Sequence, residues 1–184
     1  MRQQGFSLIE MVSVMAIMGI LMTAMWPSAQ AIIERQRAVT MINWIVTAIH
    51  LARATAINRG QHVTLCAESI TNMCGGDWHS RLLVFTDRNL NAEMDRGDVL
   101  IAAINPIHTH GTLKWRAFRN RPFLQFTSHG YTNYQNGNFT YCPLDENLDY
   151  ARQVVVNVQG RVRLVHTRNK AGVRIDRYGK PLRC

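Results

Sequence analysis

Hydrophobic positions follow one pattern up to residue 59 and a different pattern after it. Residues 6–26 form a continuous apolar run whose single charged residue is Glu10. From there to residue 59, apolar residues recur at three- and four-residue spacing while charged residues occupy the other faces, which predicts an amphipathic helix. Pro27 is expected to kink this helix without ending it. The pattern predicts one helix over residues 6–59, about 80 Å long, whose apolar second half packs on the rest of the protein.

After residue 60 the apolar period changes to two, which is the spacing of half-buried β-strands. Clusters of Gly, Asn, Asp and Pro separate the apolar segments and indicate turns. Short strands at regular intervals favour an antiparallel sheet, on which a long amphipathic helix can cover its apolar face. The sequence therefore predicts an α+β fold, a long N-terminal helix packed on an antiparallel sheet. The candidate strands are His62–Cys66, Leu82–Thr86, Val99–Asn105, Leu113–Phe118, Phe123–Thr127, Phe139–Cys142, Val154–Val158, Val162–His166 and Val173–Asp176.

The first apolar run is long enough to cross a membrane. As a helix, residues 6–26 would span the hydrocarbon core of a bilayer, which is about 30 Å thick. Arg2 precedes the run, so the positive-inside tendency places residues 1–5 in the cytoplasm and the bulk of the chain on the other side. A cleaved secretory signal peptide fits less well, because the leader carries little charge and no small-residue cleavage site follows the run. A single membrane anchor is therefore expected.

Glu10 is the unusual residue of this run. A carboxylate inside an apolar span costs about 2.5–3.5 kcal/mol on insertion scales, so it normally has a partner. Apart from Arg2, no basic residue lies near it in the sequence. A free amine at Phe6, produced by cleavage after Gly5, would provide that partner. In an assembly, the amine of one subunit would meet Glu10 of its neighbour.

The segment Gly5-Phe6-Ser7-Leu8-Ile9-Glu10, followed by an apolar helix with Pro27 just beyond it, resembles the class III leader of type IV pilins and type II secretion pseudopilins. The resemblance implies cleavage between Gly5 and Phe6 by a prepilin peptidase and N-methylation of Phe6. It also implies that the helix assembles with other pilins into a filament core, with Glu10 serving assembly. The implied location is the bacterial inner membrane, with the globular domain in the periplasm, and afterwards a pilus at the cell surface.

The rest of the chain resembles the globular domain of the FimT/FimU/GspH minor pilins, and most of all the FimT kind. The matching segments are Cys66, Cys74, Trp78, the strand LLVFTD that ends at Asp87, LQFTSHG at 124–130, NGNFTYC at 136–142 and VVVNVQGRVR at 154–163. The implied organisation is a leader over residues 1–5, a transmembrane and filament-core helix over 6–27, an amphipathic helical half over 28–59 and a periplasmic β-rich domain over 60–184.

Four cysteines in a domain expected outside the cytoplasm indicate disulfides. They allow three pairings. The pairing Cys66–Cys74 with Cys142–Cys184 is favoured, because the other two leave the C-terminal tail free or make it cross the domain. A zinc site is the competing interpretation, but the cysteines do not form CxxC pairs.

Other candidate chemistry in the sequence is weak. Residues 87–98 imitate a calcium-binding loop, but Ala92 stands where the tight turn needs glycine, and Asp98 stands in place of the longer glutamate. An ordinary acidic hairpin loop is therefore favoured. The seven histidines have no metal-binding helix or carboxylate beside them, and no nucleophile lies in a glycine elbow. We expect neither an enzyme nor a metal or other cofactor.

Positive charge is concentrated in the C-terminal tail. Residues 151–184 carry seven Arg and two Lys against one acidic residue, a net charge of +8, whereas the whole chain is +9. Such a segment attracts phosphates over about a Debye length. Gly160-Arg161-Val162-Arg163 matches the GRxR motif of minor pilins of the DNA-binding type. The resemblance therefore implies binding of DNA during natural transformation.

The GRxR motif is expected to lie in a β-hairpin. A three-residue loop, 159–161, is favoured over a two-residue loop because it separates the apolar face from the charged face. It pairs Val158 with Val162, turns Arg163 outward and leaves Arg161 at the tip.

Arg168, Lys170 and Arg174 are expected to extend the patch formed by Arg161 and Arg163. The tail contains a single aromatic residue, so phosphate contacts are expected to dominate over base stacking. Binding should be weak, independent of DNA sequence and sensitive to salt. The alternative hypothesis is a structural minor pilin or pseudopilin that primes or caps the filament and binds only other pilins, because likeness of fold does not carry function.

Overall fold

The computed structural model describes residues 7–69, 73–107, 111–170, 172–176 and 178–184. Its first element is helix α1, Leu8–Arg59, which has 52 residues. This confirms the single long helix expected from the hydrophobic pattern. Gly5 and Phe6, at which processing is expected, lie outside the described residues.

Pro27 lies within α1 and does not end it, as expected. Two stretches of the helix, Leu8–Thr23 and Ser28–Arg59, meet at a bend of 43°. Proline in a helix interior removes a backbone hydrogen bond and crowds the preceding turn, which accounts for a bend at this point. Within the described residues, no single straight helix is long and apolar enough to cross a membrane. Taken together across the bend, these two stretches have the length and the apolar composition of a membrane span.

By their internal contacts, residues 1–36 and residues 37–184 form two compact units. In the first unit, apolar side chains such as those of Leu8, Met15 and Ile20 are exposed. A contiguous apolar surface of this kind marks contact with a membrane or with another protein. The second unit combines the C-terminal part of α1 with all the strands, so this part of the helix belongs to the folded domain.

The strands of the second unit form two antiparallel sheets, whereas the sequence pattern suggested one. The strands are β1 Val63–Ala67, β2 Leu82–Thr86, β3 Leu100–Ile104, β4 Gly111–Ala117, β5 Phe123–Phe126, β6 Gly137–Pro143, β7 Arg152–Val156 and β8 Val162–Val165. Sheet 1 has the strand order β3-β2-β1-β5, and sheet 2 has the order β4-β6-β7-β8. A short 3-10 helix, Phe118–Asn120, follows β4. Eight of the nine expected strands are confirmed, and their ends differ from the expected ends by at most two residues.

The last candidate strand, Val173–Asp176, is wrong. This segment forms only isolated bridges, one of them between Arg168 and Arg174. Left-handed glycines on either side of it, Gly172 and Gly179, turn the chain away from an extended ladder. The tail after β8 is therefore an irregular segment and does not add a ninth strand to the domain.

One hydrophobic core joins α1 to both sheets. Alanines on the buried face of the helix allow a close approach, and Phe126, Phe139 and Tyr141 fill the space from the sheets. Val39 is 41% exposed, because it lies one position off the buried stripe of the helix. The buried helical residues are Ala38, Met41, Ile42, Ile45, Ala48, Ile49, Ala52 and Ala56.

Two disulfides join Cys66 to Cys74 and Cys142 to Cys184, which is the pairing favoured from the sequence. The second bridges a sequence separation of 42 residues, for which chain entropy gives about 4 kcal/mol of stabilisation. Tyr141 faces the core, and side chains alternate along a strand, so the neighbouring Cys142 faces away from it. The C-terminal end is therefore attached to the outer face of sheet 2, the face opposite the core.

Candidate nucleic-acid interface

The GRxR motif lies in the hairpin formed by β7 and β8. The register pairs Val155 with Arg163 and Val156 with Val162, which leaves a five-residue loop over residues 157–161. The expected pairing of Val158 with Val162 is therefore wrong by two residues. Because side chains alternate with a period of two, this shift keeps each residue of β8 on its expected face. Arg163 consequently faces outward and is exposed.

The longer loop is explained by hydrogen bonds at its two ends. The backbone N–H of Arg161 donates to Oδ1 of Asn157 at 2.8 Å, and the N–H of Asn157 donates to the carbonyl of Arg161 at 3.1 Å. The carbonyl of Val158 accepts from the backbone N–H of Thr132 at 2.9 Å and from its Oγ1 at 3.2 Å. Val158 is thus bonded to another loop and cannot continue the ladder with β8.

Gly160 holds this loop against the rest of the domain. Its φ is +70°, and a Cβ at this position would lie 2.3 Å from the carbonyl oxygen of Gly130 and 2.8 Å from Nε of Arg53. The same Nε donates a hydrogen bond to that carbonyl at 2.9 Å. Only glycine combines this backbone conformation with so close an approach. The glycine of the motif therefore has a structural role, since it places the exposed Arg161 on a loop packed against α1.

Arg163 shares the outer face of sheet 2 with basic residues from the opposite edge. Neighbouring strands are about 4.8 Å apart, so the backbones of Arg163 and Arg116 are about 14 Å apart. Lys114 and Arg116 are exposed but lie outside the tail, so charge counting missed them. The alternation of apolar and basic residues along β4 was the signal that could have found them. The two cross-strand rows of this face are Arg116, Asn138, Val155 and Arg163, and Lys114, Thr140, Gln153 and Val165.

The three remaining tail residues of the expected patch, Arg168, Lys170 and Arg174, differ in their exposure and in their bonds. Lys170 is exposed. Arg168 is exposed too, but its guanidinium forms an ion pair with Asp149 at 3.2 Å and donates to the carbonyl of Gly172 at 2.6 Å. Arg174 is only 9% exposed, and its Nε donates to the carbonyl of Asp149 at 3.1 Å. The burial of Arg174 contradicts its expected place on the surface patch, and its visible role is to anchor the tail.

The acidic loop over residues 87–98 has its polar groups engaged with one another. Asn89 and Asn91 donate side-chain hydrogen bonds to Oδ2 of Asp95 at 2.8 and 2.7 Å. These bonds hold the pKa of Asp95 below its ordinary value. The backbone N–H of Asp95 in turn donates to Oδ2 of Asp98 at 3.1 Å. Across the part of the chain that the structure describes, no group of three or more His, Cys, Asp or Glu side chains could hold a metal ion.

Two protein-family models match the chain. The family described as type II transport protein GspH matches residues 42–160. The prokaryotic N-terminal methylation motif matches residues 1–26. No curated protein sequence matches the chain.

Solved structures of minor pilins are similar to the chain in fold. The type IV minor pilin FimU of Pseudomonas aeruginosa superposes with a TM-score of 0.57 at 16% identity, over 71% of this chain and 90% of FimU. A second crystal form of FimU gives 0.51 at 16% identity, over 70% and 90%. The minor pseudopilin EpsH of the type 2 secretion system of Vibrio cholerae gives 0.47 at 15% identity, over 68% and 93%. The likeness to FimU shows that the architecture is the type IV pilin fold.

We expect Gly160→Ala to lower the free energy of unfolding by about 2–4 kcal/mol, because it adds both left-handed strain and a clash with the Gly130 carbonyl. Gly172→Ala is the matched control. Gly172 has a φ of +79° but no heavy atom within 4 Å of an added Cβ, so only strain of about 1–2 kcal/mol applies. Chemical denaturation of the detergent-solubilised chain measures both. Equal losses for the two variants would show that the loop is not packed as described.

Proposed function

The chain belongs to the GspH family of type II transport proteins, a family of minor pilins and pseudopilins, and we propose that it is a minor type IV pilin that binds DNA. In this proposal, the hairpin of β7 and β8 binds DNA without sequence preference and supports DNA uptake in natural transformation.

The observation that carries this proposal is the presentation of Arg161 and Arg163. The side chain of Asn157 and the packing of Gly160 hold Arg161 in an exposed loop, while β8 holds Arg163 on the outer face of the same hairpin. A guanidinium group offers a rigid fork of donors that matches phosphate oxygens. Two such groups on a rigid hairpin lose less conformational entropy on binding than two groups on a flexible tail.

The charge distribution supports the same surface. The tail over residues 151–184 carries a net charge of +8, although Asp149 offsets Arg168 and Arg174 is buried. Contacts to phosphates position a protein on DNA but carry no sequence information. A surface built mainly on Arg161, Arg163 and the exposed Lys170 should therefore bind any DNA, and its affinity should fall as the salt concentration rises.

The alternative is a structural minor pilin or pseudopilin that primes or caps a filament without binding DNA. Membership of the GspH family favours it, because the family description concerns transport and names no nucleic acid. The exposed apolar side chains of residues 8–26 also favour contact with other helices. The two functions differ only in what the outer face of sheet 2 binds.

In both cases the N-terminal segment would act as in a prepilin. The methylation motif covers residues 1–26, and the proposal assigns cleavage after Gly5 and N-methylation to Phe6. Glu10, in the first turn of α1, would pair with the amine of a neighbouring subunit. Before assembly, the protein would be held in the inner membrane by a single span, with the β-rich domain in the periplasm.

Gly5→Ala is expected to block cleavage, because a prepilin peptidase cleaves after glycine and the change adds a Cβ next to the bond to be cleaved. An unprocessed species should then accumulate in the membrane fraction, where mass spectrometry detects its N-terminus. Glu10→Val is the companion change. It should insert at least as well, since the buried carboxylate is removed, but it should be missing from sheared pili. Cleavage at Phe6 in the first variant, or normal incorporation of the second, would contradict the assignment.

Arg161→Gln and Arg163→Gln are each expected to weaken DNA binding by about five- to tenfold at about 0.1 M salt. Each should also flatten the plot of log affinity against log salt by about one unit, because one phosphate contact and its released counterion are lost. Gel-shift or anisotropy titrations with two unrelated DNA sequences should give the same losses.

Arg96→Gln is the charge-matched control for these variants. Arg96 is exposed in the acidic loop of sheet 1, so its removal changes the net charge equally without touching the hairpin. Its DNA affinity should stay close to that of the parent. If the double variant at Arg161 and Arg163 also binds like the parent, the structural alternative is correct.

A further inference from the structure

The outer face of sheet 2 carries a groove that the proposed phosphate contacts do not occupy. Its volume is about 860 Å³. Strands β6 and β7 form the floor, the end of β4 forms one side, and the C-terminal tail forms a wall. The Cys142–Cys184 disulfide attaches that wall to β6. The lining residues used below are Asn138, Thr140, Gln153 and Phe118.

The floor of the groove is polar. Nε2 of Gln153 donates to Oγ1 of Thr140 at 3.0 Å and to Oδ1 of Asn138 at 3.4 Å. Gln153 is only 7% exposed and Thr140 only 5%, although neither faces the core. These two bonds engage Nε2 of Gln153 and Oδ1 of Asn138 within the floor, which leaves the acceptor Oε1 of Gln153 and the donor Nδ2 of Asn138 to bond a ligand. Such a floor suits planar ligands whose edges combine donors and acceptors, as nucleobases do.

Aromatic and basic side chains meet at one end of the groove. Phe118 is 56% exposed and Tyr134 is 66% exposed. The guanidinium carbon of Arg119 lies 5.8 Å from the ring centroid of Phe118 and 5.5 Å from that of Tyr134. We call Phe118, Arg119 and Tyr134 the aromatic platform. Exposed rings joined by an arginine form the kind of surface on which unpaired bases stack.

The backbone of the aromatic platform is strained. Arg119 and Tyr134 have left-handed φ values of +63° and +62°, and Asn120, next to Arg119, has a φ of +50°. A hydrogen bond of 2.8 Å from the N–H of Phe118 to the carbonyl of Asn136 joins the two loops that contain them. Strain of this kind in non-glycine residues clusters at ligand sites, where the surrounding structure maintains it.

The aromatic platform lies at the same end of sheet 2 as the GRxR loop. Phe118 directly follows β4, and Arg161 directly precedes β8. A DNA strand whose phosphates contact Arg161 and Arg163 would therefore have its next bases above the groove. The last cross-strand row at this end consists of Ala117, Gly137, Val156 and Val162.

We propose that the groove and the aromatic platform receive unpaired bases, so that the protein binds single-stranded or frayed DNA through bases as well as phosphates. The inference rests on the proposed DNA binding and specifies which form of DNA the site prefers. In a duplex the bases are stacked and their edges are paired, so they reach a protein pocket only after unpairing. A single strand presents both its ring faces and its edges to the platform and the floor.

The test uses the full-length chain in detergent micelles and anisotropy titrations with three fluorescent probes. These are a single strand of mixed sequence, an abasic single strand of the same length, and the duplex of the first strand. The first two probes carry the same backbone charge and differ only in their bases. The parent should bind the strand with bases about tenfold more tightly than the abasic strand, the range expected for stacking of one base. It should also bind the single strand more tightly than the duplex.

Phe118→Leu and Tyr134→Leu should each remove most of the preference for bases and leave the affinity for the abasic strand unchanged. Phe118→Trp should keep the preference, because it keeps an aromatic surface. Tyr131→Leu is the matched control, since Tyr131 is 51% exposed but belongs neither to the aromatic platform nor to the groove lining. Arg161→Gln should weaken binding of both single strands by the same factor. Thermal unfolding curves check that each variant is folded.

The affinities for the three probes decide whether the inference holds. Equal affinity of the parent for the abasic strand and the strand with bases would overturn it, while leaving the proposed function intact if Arg161→Gln still weakens binding. A Phe118→Leu variant that loses affinity for the abasic strand as well would also overturn it, because the ring would then act through loop structure. Binding to none of the three probes would overturn both proposals.

Discussion

The contact of Gly160 with the Gly130 carbonyl and the Arg53 side chain is the constraint on which the candidate interface depends. Arg53 belongs to α1, Gly130 to the loop that follows β5 in sheet 1, and Gly160 to the β7–β8 loop of sheet 2. The hydrogen bond from Arg53 to Gly130 and the absence of a Cβ at Gly160 bring these three elements to one point. The position of Arg161 is thereby coupled to the packing of the core, so the loop over residues 157–161 has a defined geometry.

The two faces of sheet 2 differ in composition, because side chains alternate between them along each strand. One face contributes Phe139, Tyr141 and Val154 to the core shared with α1. The other face carries charged and amide side chains and is partly covered by the tail that the Cys142–Cys184 disulfide holds. The face that a residue of sheet 2 occupies thus decides whether it can contribute to the candidate interface. The count of tail charges included Arg174, although its guanidinium is buried and donates to the Asp149 carbonyl.

The sequence was sufficient to predict the helix, most of the strands and the outward direction of Arg163. Burial imposes a period on each of these elements locally, and a period is visible in a single sequence. The loop length of the hairpin was wrong because it depends on Thr132, which bonds to the Val158 carbonyl from 26 residues away. The burial of Arg174 depends in the same way on Asp149, 25 residues away. The division into two sheets and the aromatic platform also arise from contacts between distant segments, which a local pattern does not encode.

The most direct test of the central claim is an NMR titration of the isotope-labelled full-length chain in detergent micelles with a short DNA. In the proposed function, DNA binds to the outer face of sheet 2 around Arg161 and Arg163. DNA bound there should cause chemical-shift changes centred on the amides of residues 157–163 and on the adjoining end of β4. These changes should disappear as the salt concentration is raised. Amides of the acidic loop over residues 87–98 should not move. Changes centred on α1 or on that acidic loop, or no changes at low salt, would contradict the account.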